Sequence, residues 1–502
     1  MVTMTKEKPD TVNILVVGIG FHARRIYIPV LQKIGLERPV KIKAIVDIAA
    51  AKQSAETYIS ERGLEDVEML YVEPLKPHAQ TLSKQHVAQL NALVARHNIN
   101  GVVISTDPVI HRAYAEWALS SKLHILMDKP ISTRVRVSSS RTQAKRLIED
   151  YDELLAKYQK LQKERETIFS VMVQRRYETG YQKVFELIKE VGDRFQAPVT
   201  SIQASHSDGV WILPDEIVEQ VSHPYSTGYG KNSHSGYHIF DIIWQFYKAS
   251  GIKHKSADSA EVMTSFINPR GLLKQFGQED FHAYFPDYLN NRHRSDEELW
   301  DVFDKYGEID AFSIIRLLKD KETICNISTN LIHNGFSRRA WSTPSKDLYK
   351  GNGRVKHQSF SIQQGPFQNI QIHQYQSSDQ HDDITDQSDS VGGNNHFDIF
   401  VFRNAVMFGP DEKPFRQITL KSLQAIETKD TSRLYNESAK DVAILEFVDY
   451  ILGKIPKTEL KSNITSHEVP VKIMSTIYQS QARQLSRRSP VAGFKISEES
   501  RI

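Results

Sequence analysis

"VNILVVGIGFHA", residues 12–23, decides how the rest of the chain is read. An apolar, β-branched run that breaks into glycine reads as a buried strand. The residues after it continue as a helix to Gly35, which suits a C-terminal cap, and Pro29 should kink or delimit that helix. Between strand and helix stands Gly18-x-Gly20-x-x-Ala23. Glycines at that spacing let the backbone turn tightly and approach a pyrophosphate. The following helix N-terminus offers unpaired N–H groups and a positive dipole end to the phosphates. Phe21 and His22, inside the same loop, join the expected cofactor-binding set.

Working outward, "KIKAIVD" (41–47) is a second strand that ends in an acid. Asp47 is placed to accept hydrogen bonds from an adenosine ribose, and its charge repels a 2′-phosphate. NAD(H) is therefore expected over NADP(H), although Lys52 stands close enough to keep NADP(H) as the second cofactor. "INGVVIST" (99–106) and "LHILMD" (123–128) are further strands, with "PVIHRAYAEWALSS" a helix between them. Short apolar strands alternating with helices imply a parallel, wound sheet. Leu147, Tyr151, Leu154, Tyr158 and Leu161 then form a narrow apolar seam on one long helix. That seam either packs on the nucleotide domain or makes a small oligomer contact.

From "TIFSVMVQRRY" onward the texture changes. Runs such as "PVTSIQASHS", "AFSIIRLL", "ETICNISTNLI" and "FDIFVFRN" read as strands of a large, mostly antiparallel open sheet. The expected organisation is a Rossmann dinucleotide-binding domain over 11–166 ending in an extended helix. An α+β substrate and oligomerisation domain follows over 167–440, and C-terminal helices over 441–490 pack back on the core. Insertions fall at about 270–307, helical and aromatic-rich, and at 342–396, which expands the sheet and holds a polar loop at 377–395. The fold class is thus α/β followed by α+β.

Sixty-four basic against 61 acidic residues give a net charge of +3, which points to neither a nucleic-acid nor a membrane partner. No apolar run is long enough to span a bilayer, and the N-terminus lacks a secretory h-region. Cys325 is the lone cysteine. With no disulfide to form, a reducing, cytoplasmic location is expected.

Three further patches resemble the Gfo/Idh/MocA oxidoreductases. "GVVISTDPVIHRAYAEWAL" is similar to that family's strand–loop–helix, with Thr106, Asp107, Pro108 and His111 at the loop. "HILMDKPIST" resembles its Glu-Lys-Pro turn, here Asp128, Lys129 and Pro130. "VQRRYETGYQKVFELI" resembles the first strand and helix of its second domain. The resemblance places these loop residues, with Asp128, Lys129 and Arg176, on the cofactor. Of Arg175 and Arg176, only one could face inward on a strand.

The family's substrate domain carries Gly-Gly-x-x-x-Asp-x-x-x-His. In "YGKNSHSGYHIFD" (229–241), Gly230 takes the second glycine, His238 the histidine, and Asp241 an acid three residues on. Tyr229 stands at the first glycine and His234 at the aspartate, so this chain departs from the pattern twice. The resemblance implies hydride transfer between nicotinamide and a carbinol or carbonyl of a sugar, cyclitol or related polyol. Lys129 would stabilise an alkoxide. His238 would act as general acid/base, and His234 would hold the substrate or orient His238. Tyr225 and Trp211 could stack on a sugar ring.

Three alternatives stay open. One is an NAD-dependent glycosidase with transient oxidation. Another is a non-catalytic nucleotide-sensing regulator of the same fold. The third is a zinc site, for which His234 and His238 would need His206, His223 or Asp241 as a further ligand; the expected metal is none. A homo-oligomer formed through the substrate-domain sheet is expected.

Overall fold

The computed structural model describes residues 9–76, 79–291, 294–342, 353–378, 396–419, 422–423 and 435–501. The chain forms two compact units. Unit 1 comprises 1–134, 147–177 and 435–467, and unit 2 comprises 135–146, 178–434 and 468–502.

Unit 1 is built on six strands: β1 (Val12–Val17), β2 (Val40–Ile48), β3 (Glu68–Val72), β4 (Gly101–Ile104), β5 (His124–Met127) and β6 (Phe169–Val171). Their order is β3-β2-β1-β4-β5-β6, and every pairing is parallel. β4 is a continuous apolar run, and β1 is one from Ile14 to Val17, because a parallel sheet is covered on both faces. Helices α1 (Ile28–Ile34), α2 (Lys52–Glu61), α3 (Lys84–His97) and α4 (His111–Ser120) connect the strands. The strand order reverses between β1 and β4. That switch point opens a crevice beyond the strands' carboxyl ends, where doubly wound sheets bind ligands.

The helical stretch after the glycine loop is a π-turn over Ala23–Tyr27 that passes into α1, with Pro29 in the first turn of α1. The seam of α5 (Arg141–Glu164) is buried from Leu147 to Leu161. Tyr151 donates to Ile464 O (3.0 Å), and Tyr158 meets Phe169 edge-on, so the seam is core of unit 1. "TIFSVMV" does not open the second sheet. It yields β6, which pairs with β5 and completes the first.

Unit 2 holds a nine-stranded sheet made of β7 (Ser201–Val210), β8 (Ser259–Ile267), β9 (Asp310–Lys319), β10 (Glu322–Asn334), β11 (Arg354–Gln364), β12 (Gln368–Ser378), β13 (His396–Arg403), β14 (Phe415–Thr419) and β15 (Ala492–Lys495). The order is β14-β13-β12-β11-β7-β10-β9-β8-β15. Only the pairing of β7 with β10 is parallel, so the sheet is mostly antiparallel, as the alternating strands imply. Helices α6 (Thr179–Phe195), α7 (Pro214–Glu219) and α8 (Tyr237–Lys248) belong to this unit. The first insertion folds as α9 (Pro269–Gln275), α10 (Gln278–Tyr284) and α11 (Asp296–Val302). The second supplies β11 and β12. The polar loop expected at 377–395 lies outside the described residues except for the end of β12. Of the last two helices, α12 (Tyr435–Ile451) belongs to unit 1 and α13 (Glu468–Leu485) to unit 2.

Candidate functional site

The glycine loop leaves β1 at Gly18, whose φ of +91° suits glycine. A Cβ there would lie 2.6 Å from Ser105 O, so the loop runs hard against the end of β4. A Cβ on Gly20 would meet nothing within 4 Å, so the outer side of the loop is open. Asp47, at the end of β2, braces the loop from beneath. Its Oδ2 accepts from Ile19 N and its Oδ1 from Ile48 N, both at 2.7 Å. Each oxygen keeps a further lone pair for a ribose hydroxyl. A backbone that turns without a Cβ, an open outer side and an acid held at the next strand end together fit a dinucleotide.

Lys52 lies 5.9 Å from the Tyr71 ring and 3.9 Å from Glu56. Arg24, one residue past the end of the motif, reaches the same edge. Its Nε donates to Ile19 O (2.7 Å) and its Nη2 to Ser54 Oγ (3.0 Å). Phe21 is half exposed, with the Arg25 guanidinium over its ring.

The loop after β4 and the turn after β5 are tied together. His111 is fully buried, with Nδ1 2.9 Å from Pro130 O and Nε2 3.0 Å from Thr106 O. Burial pushes its pKa down, against the pull of Asp128. Asp107 Oδ1 caps its own loop by accepting from Val109 N (3.0 Å), and Thr133 N donates to Pro108 O (3.2 Å). Beneath the turn, Arg134 and Arg112 converge on the buried carboxylate of Asp150. Lys129 is partly buried, and its N–H donates to Asp128 Oδ1 (2.9 Å).

Asp128 also contacts His22, whose other ring nitrogen faces Lys440 of α12. Burial alone would raise the Asp128 carboxyl, but His22, Lys129 and Lys440 hold it well below the ordinary carboxylate range. Lys440 escapes a motif search because it lies 418 positions along the chain from His22, the residue it contacts.

Arg175 and Arg176 do not lie on a strand. Gln174–Tyr177 is a 3₁₀ turn, and both arginines are buried. Arg176 directs Nη1 to Lys461 O and Ser466 Oγ, each at 2.7 Å, within unit 1.

In unit 2, Lys231–Asp241 opens as a π-turn (Asn232–Gly236) and continues as α8. His234 and His238 are each 8% exposed, and Asp241 is fully buried. His234 lies among aromatic rings, with centroids 4.9 Å from His223, 5.0 Å from Tyr225 and 5.2 Å from Tyr229. Tyr229 therefore replaces the first glycine with a wall for the histidine. Trp211 goes elsewhere, to Phe281, Tyr284 and Phe285 of the first insertion.

A second group emerges only in three dimensions. Lys231 is fully buried and paired with Asp208, while its Nζ lies 3.0 Å from His206 Nδ1. Asp208 also receives Ser235 Oγ (3.2 Å), His333 Nδ1 (3.3 Å) and Arg354 Nη2 (3.2 Å). Burial lowers the Lys231 pKa, and Asp208 opposes that. Burial would raise Asp208, but Lys231, His333, His206 and Arg354 hold it well below its usual range. Tyr225 links this cluster to His234, since its ring lies 5.5 Å from His333. The signal was present in "SHSDG": His206 and Asp208, two apart on β7, share a face. Alongside, Glu308 Oε1 accepts from Asn232 N and Nδ2 (both 2.9 Å) and from Tyr478 Oη (3.0 Å). Among the described residues, no three His, Cys, Asp or Glu side chains converge as a metal-binding group. Among the same residues, no helix is long and apolar enough to cross a membrane.

Comparison with known proteins agrees with this geometry. Residues 12–158 match the model of the Gfo/Idh/MocA oxidoreductase family, NAD-binding Rossmann fold. No curated protein matches the chain. Among solved structures, it is similar to an oxidoreductase from Agrobacterium radiobacter in complex with NAD+, L-tartaric acid and magnesium. That match has 13% identity and TM-score 0.55, covering 96% of this chain and 98% of the other. It is also similar to the WlbA dehydrogenase from Bordetella pertussis in complex with NADH and UDP-GlcNAcA, at 12% identity and TM-score 0.54, covering 98% and 99%. A third is the aldose-aldose oxidoreductase from Caulobacter crescentus complexed with glycerol, at 12% identity and TM-score 0.53, covering 97% and 100%. At these identities the likeness is one of fold. Residues 12–158 thus match the NAD-binding Rossmann fold of the Gfo/Idh/MocA oxidoreductase family.

Proposed function

We propose that the chain is an NAD(H)-dependent oxidoreductase acting on a carbinol or carbonyl of a sugar, cyclitol or related polyol. The observation that carries this reading is the switch-point crevice. There the Gly18–Ala23 loop, Asp47 and the Asp128–Lys129 turn surround the carboxyl ends of β1, β2, β4 and β5. Nicotinamide, when bound, accepts or supplies the hydride. Gly18, Gly20, Phe21, His22 and Ala23 would hold the pyrophosphate side, and Asp47 the adenosine ribose. Thr106, Asp107, Pro108 and His111 support the turn that presents Lys129. The Lys129 ammonium stabilises oxygen charge as it develops.

His238 holds or moves the proton, because imidazole titrates near neutral pH. His234 acts by hydrogen bonding; it lacks the fixed charge of an aspartate, and Tyr225, Tyr229 and His223 orient its ring. NAD(H) is preferred over NADP(H) because Asp47 faces the ribose position while Arg24 is engaged with Ile19 and Ser54. The relatives found with NADH, UDP-GlcNAcA or glycerol support this cofactor and substrate class. The buried Cys325 suits a reducing compartment such as the cytoplasm. The exposed Met263, Phe312 and Ile314 on neighbouring strands of the nine-stranded sheet suit assembly with a second copy.

The test is a panel of sugars, cyclitols, sugar acids and their glycosides, incubated with NAD and followed at the NADH absorbance. Stoichiometric NADH from a free polyol supports the dehydrogenase. Glycoside cleavage without NADH accumulation would replace it with the transient-oxidation reading. Cofactor binding with no change in any substrate would favour a nucleotide sensor.

A further inference from the structure

The two ring nitrogens of His22 have different partners. Nδ1 contacts the carboxylate Oδ2 of Asp128, and Nε2 lies 3.0 Å from the Lys440 ammonium. An ammonium only donates and an ionised carboxylate only accepts. One proton arrangement satisfies both contacts: a neutral ring with hydrogen on Nδ1 and the lone pair on Nε2. The chain of bonds then continues, since Asp128 Oδ1 accepts from Lys129 N at 2.9 Å. Lys440 is 8% exposed, so this ammonium is buried against the loop rather than waving in solvent.

We propose that Lys440 and His22 are positioning residues for the cofactor-bearing turn. They fix the Asp128 carboxylate, and through it the Lys129 backbone, only while His22 is neutral. This inference rests on the dinucleotide reading for its effect on binding, but the wiring itself does not. The groups that face His22 are Asp128 and Lys129 beyond β5, Lys440 on α12, and the Tyr27 ring, 5.1 Å away on the same helical stretch. Burial disfavours the imidazolium, Asp128 favours it, and Lys440 and Lys129 disfavour it, leaving the His22 pKa below its ordinary value. A protonated ring would set an N–H against the Lys440 ammonium and break the link.

The experiment has two readouts on the full-length chain. The first needs no cofactor. Ring-labelled histidine is titrated by NMR, and the His22 signal is identified by its loss in His22→Asn. Lys440→Met and Lys440→Gln remove the like charge and should raise the His22 midpoint by about one pH unit or more. Gln keeps a donor to Nε2 and covers the case in which Met fails to fold. An unmoved midpoint in whichever variant folds overturns the proposal.

The second readout is NADH affinity at pH 7.5 and at a pH below the His22 midpoint found by NMR. Lys440→Met should weaken binding about 10-fold at pH 7.5, the worth of a charge-assisted hydrogen bond. Lys440→Arg should restore it to within about threefold of wild type. Wild-type affinity should fall at the lower pH. His22→Asn, which donates and accepts but does not titrate, should bind equally at both pH values. Wild-type affinity that is flat with pH, or a Lys440→Met affinity equal to wild type, also overturns the proposal. Failure of the wild type to bind NADH or NADPH at all would instead remove the cofactor reading, and the midpoint shift would still judge the wiring.

Discussion

Lys231→Met should destabilise unit 2 far more than a surface lysine would. Lys231 is fully buried, and Asp208 beside it is 6% exposed at its side chain. Removing one partner of a buried pair costs about 3–5 kcal/mol, because the survivor is left charged without compensation. Asp208 would keep Ser235 at 3.2 Å, Arg354 at 3.2 Å and His333 at 3.3 Å, all longer than its contact with Lys231. Those partners place the expected cost at the lower end, about 3 kcal/mol. For a unit of this size each kcal/mol moves a thermal midpoint by about 2 °C, so a fall of about 6 °C is expected. Asp208→Asn in the same background removes the stranded charge. The double variant should therefore lose less than the sum of the singles, with a coupling of about 2 kcal/mol. Differential scanning calorimetry at pH 7.5 measures all four proteins. A Lys231→Met cost below about 1 kcal/mol, or strict additivity, would refute the buried ion-pair reasoning.

Glu308→Gln tests the neighbouring acid. Burial raises the Glu308 pKa, so the folded state holds a proton that the unfolded chain releases. That contribution is fully present below the unfolded pKa and is lost as pH rises through the folded one. The stability of Glu308→Gln relative to wild type should therefore improve from pH 4 upward; a constant difference in chemical denaturation would count against it. Lys129→Ala and His238→Ala should each lower kcat by about 10²–10⁴-fold on the best polyol of the panel. Binding of NADH, followed by fluorescence, should survive in both variants, and near-wild-type turnover in either removes that residue's assigned role.

Much of unit 1 was legible because its signals are local. A β-branched run breaking into glycine, an acid closing the next strand and a helical seam each need fewer than 20 residues of context. β6 was misassigned for the opposite reason. A three-residue apolar strand carries no mark of which sheet it will join, and pairing with β5 depends on the path of α5. On a strand only one of Arg175 and Arg176 could face inward, but the chain makes a 3₁₀ turn there and both are buried. The His234–His238 spacing was visible. The packing of the Tyr225, Tyr229 and His223 rings around His234 was not, although they lie close in sequence, because irregular turns between them carry no periodicity. The Lys231–Asp208–His333 cluster draws on β7, β10 and the residue just before the π-turn that leads into α8. Lys440 reaches His22 from α12. Tertiary wiring of this kind leaves no periodicity in a single chain.

The most direct test of the central claim is the affinity of the purified chain for NADH against NADPH, measured by isothermal titration in wild type and Asp47→Ser. The account predicts one NADH per chain, weaker NADPH, and a smaller gap between them in the variant. Equal affinities for NADH and NADPH in the wild type, or binding of neither, would contradict it.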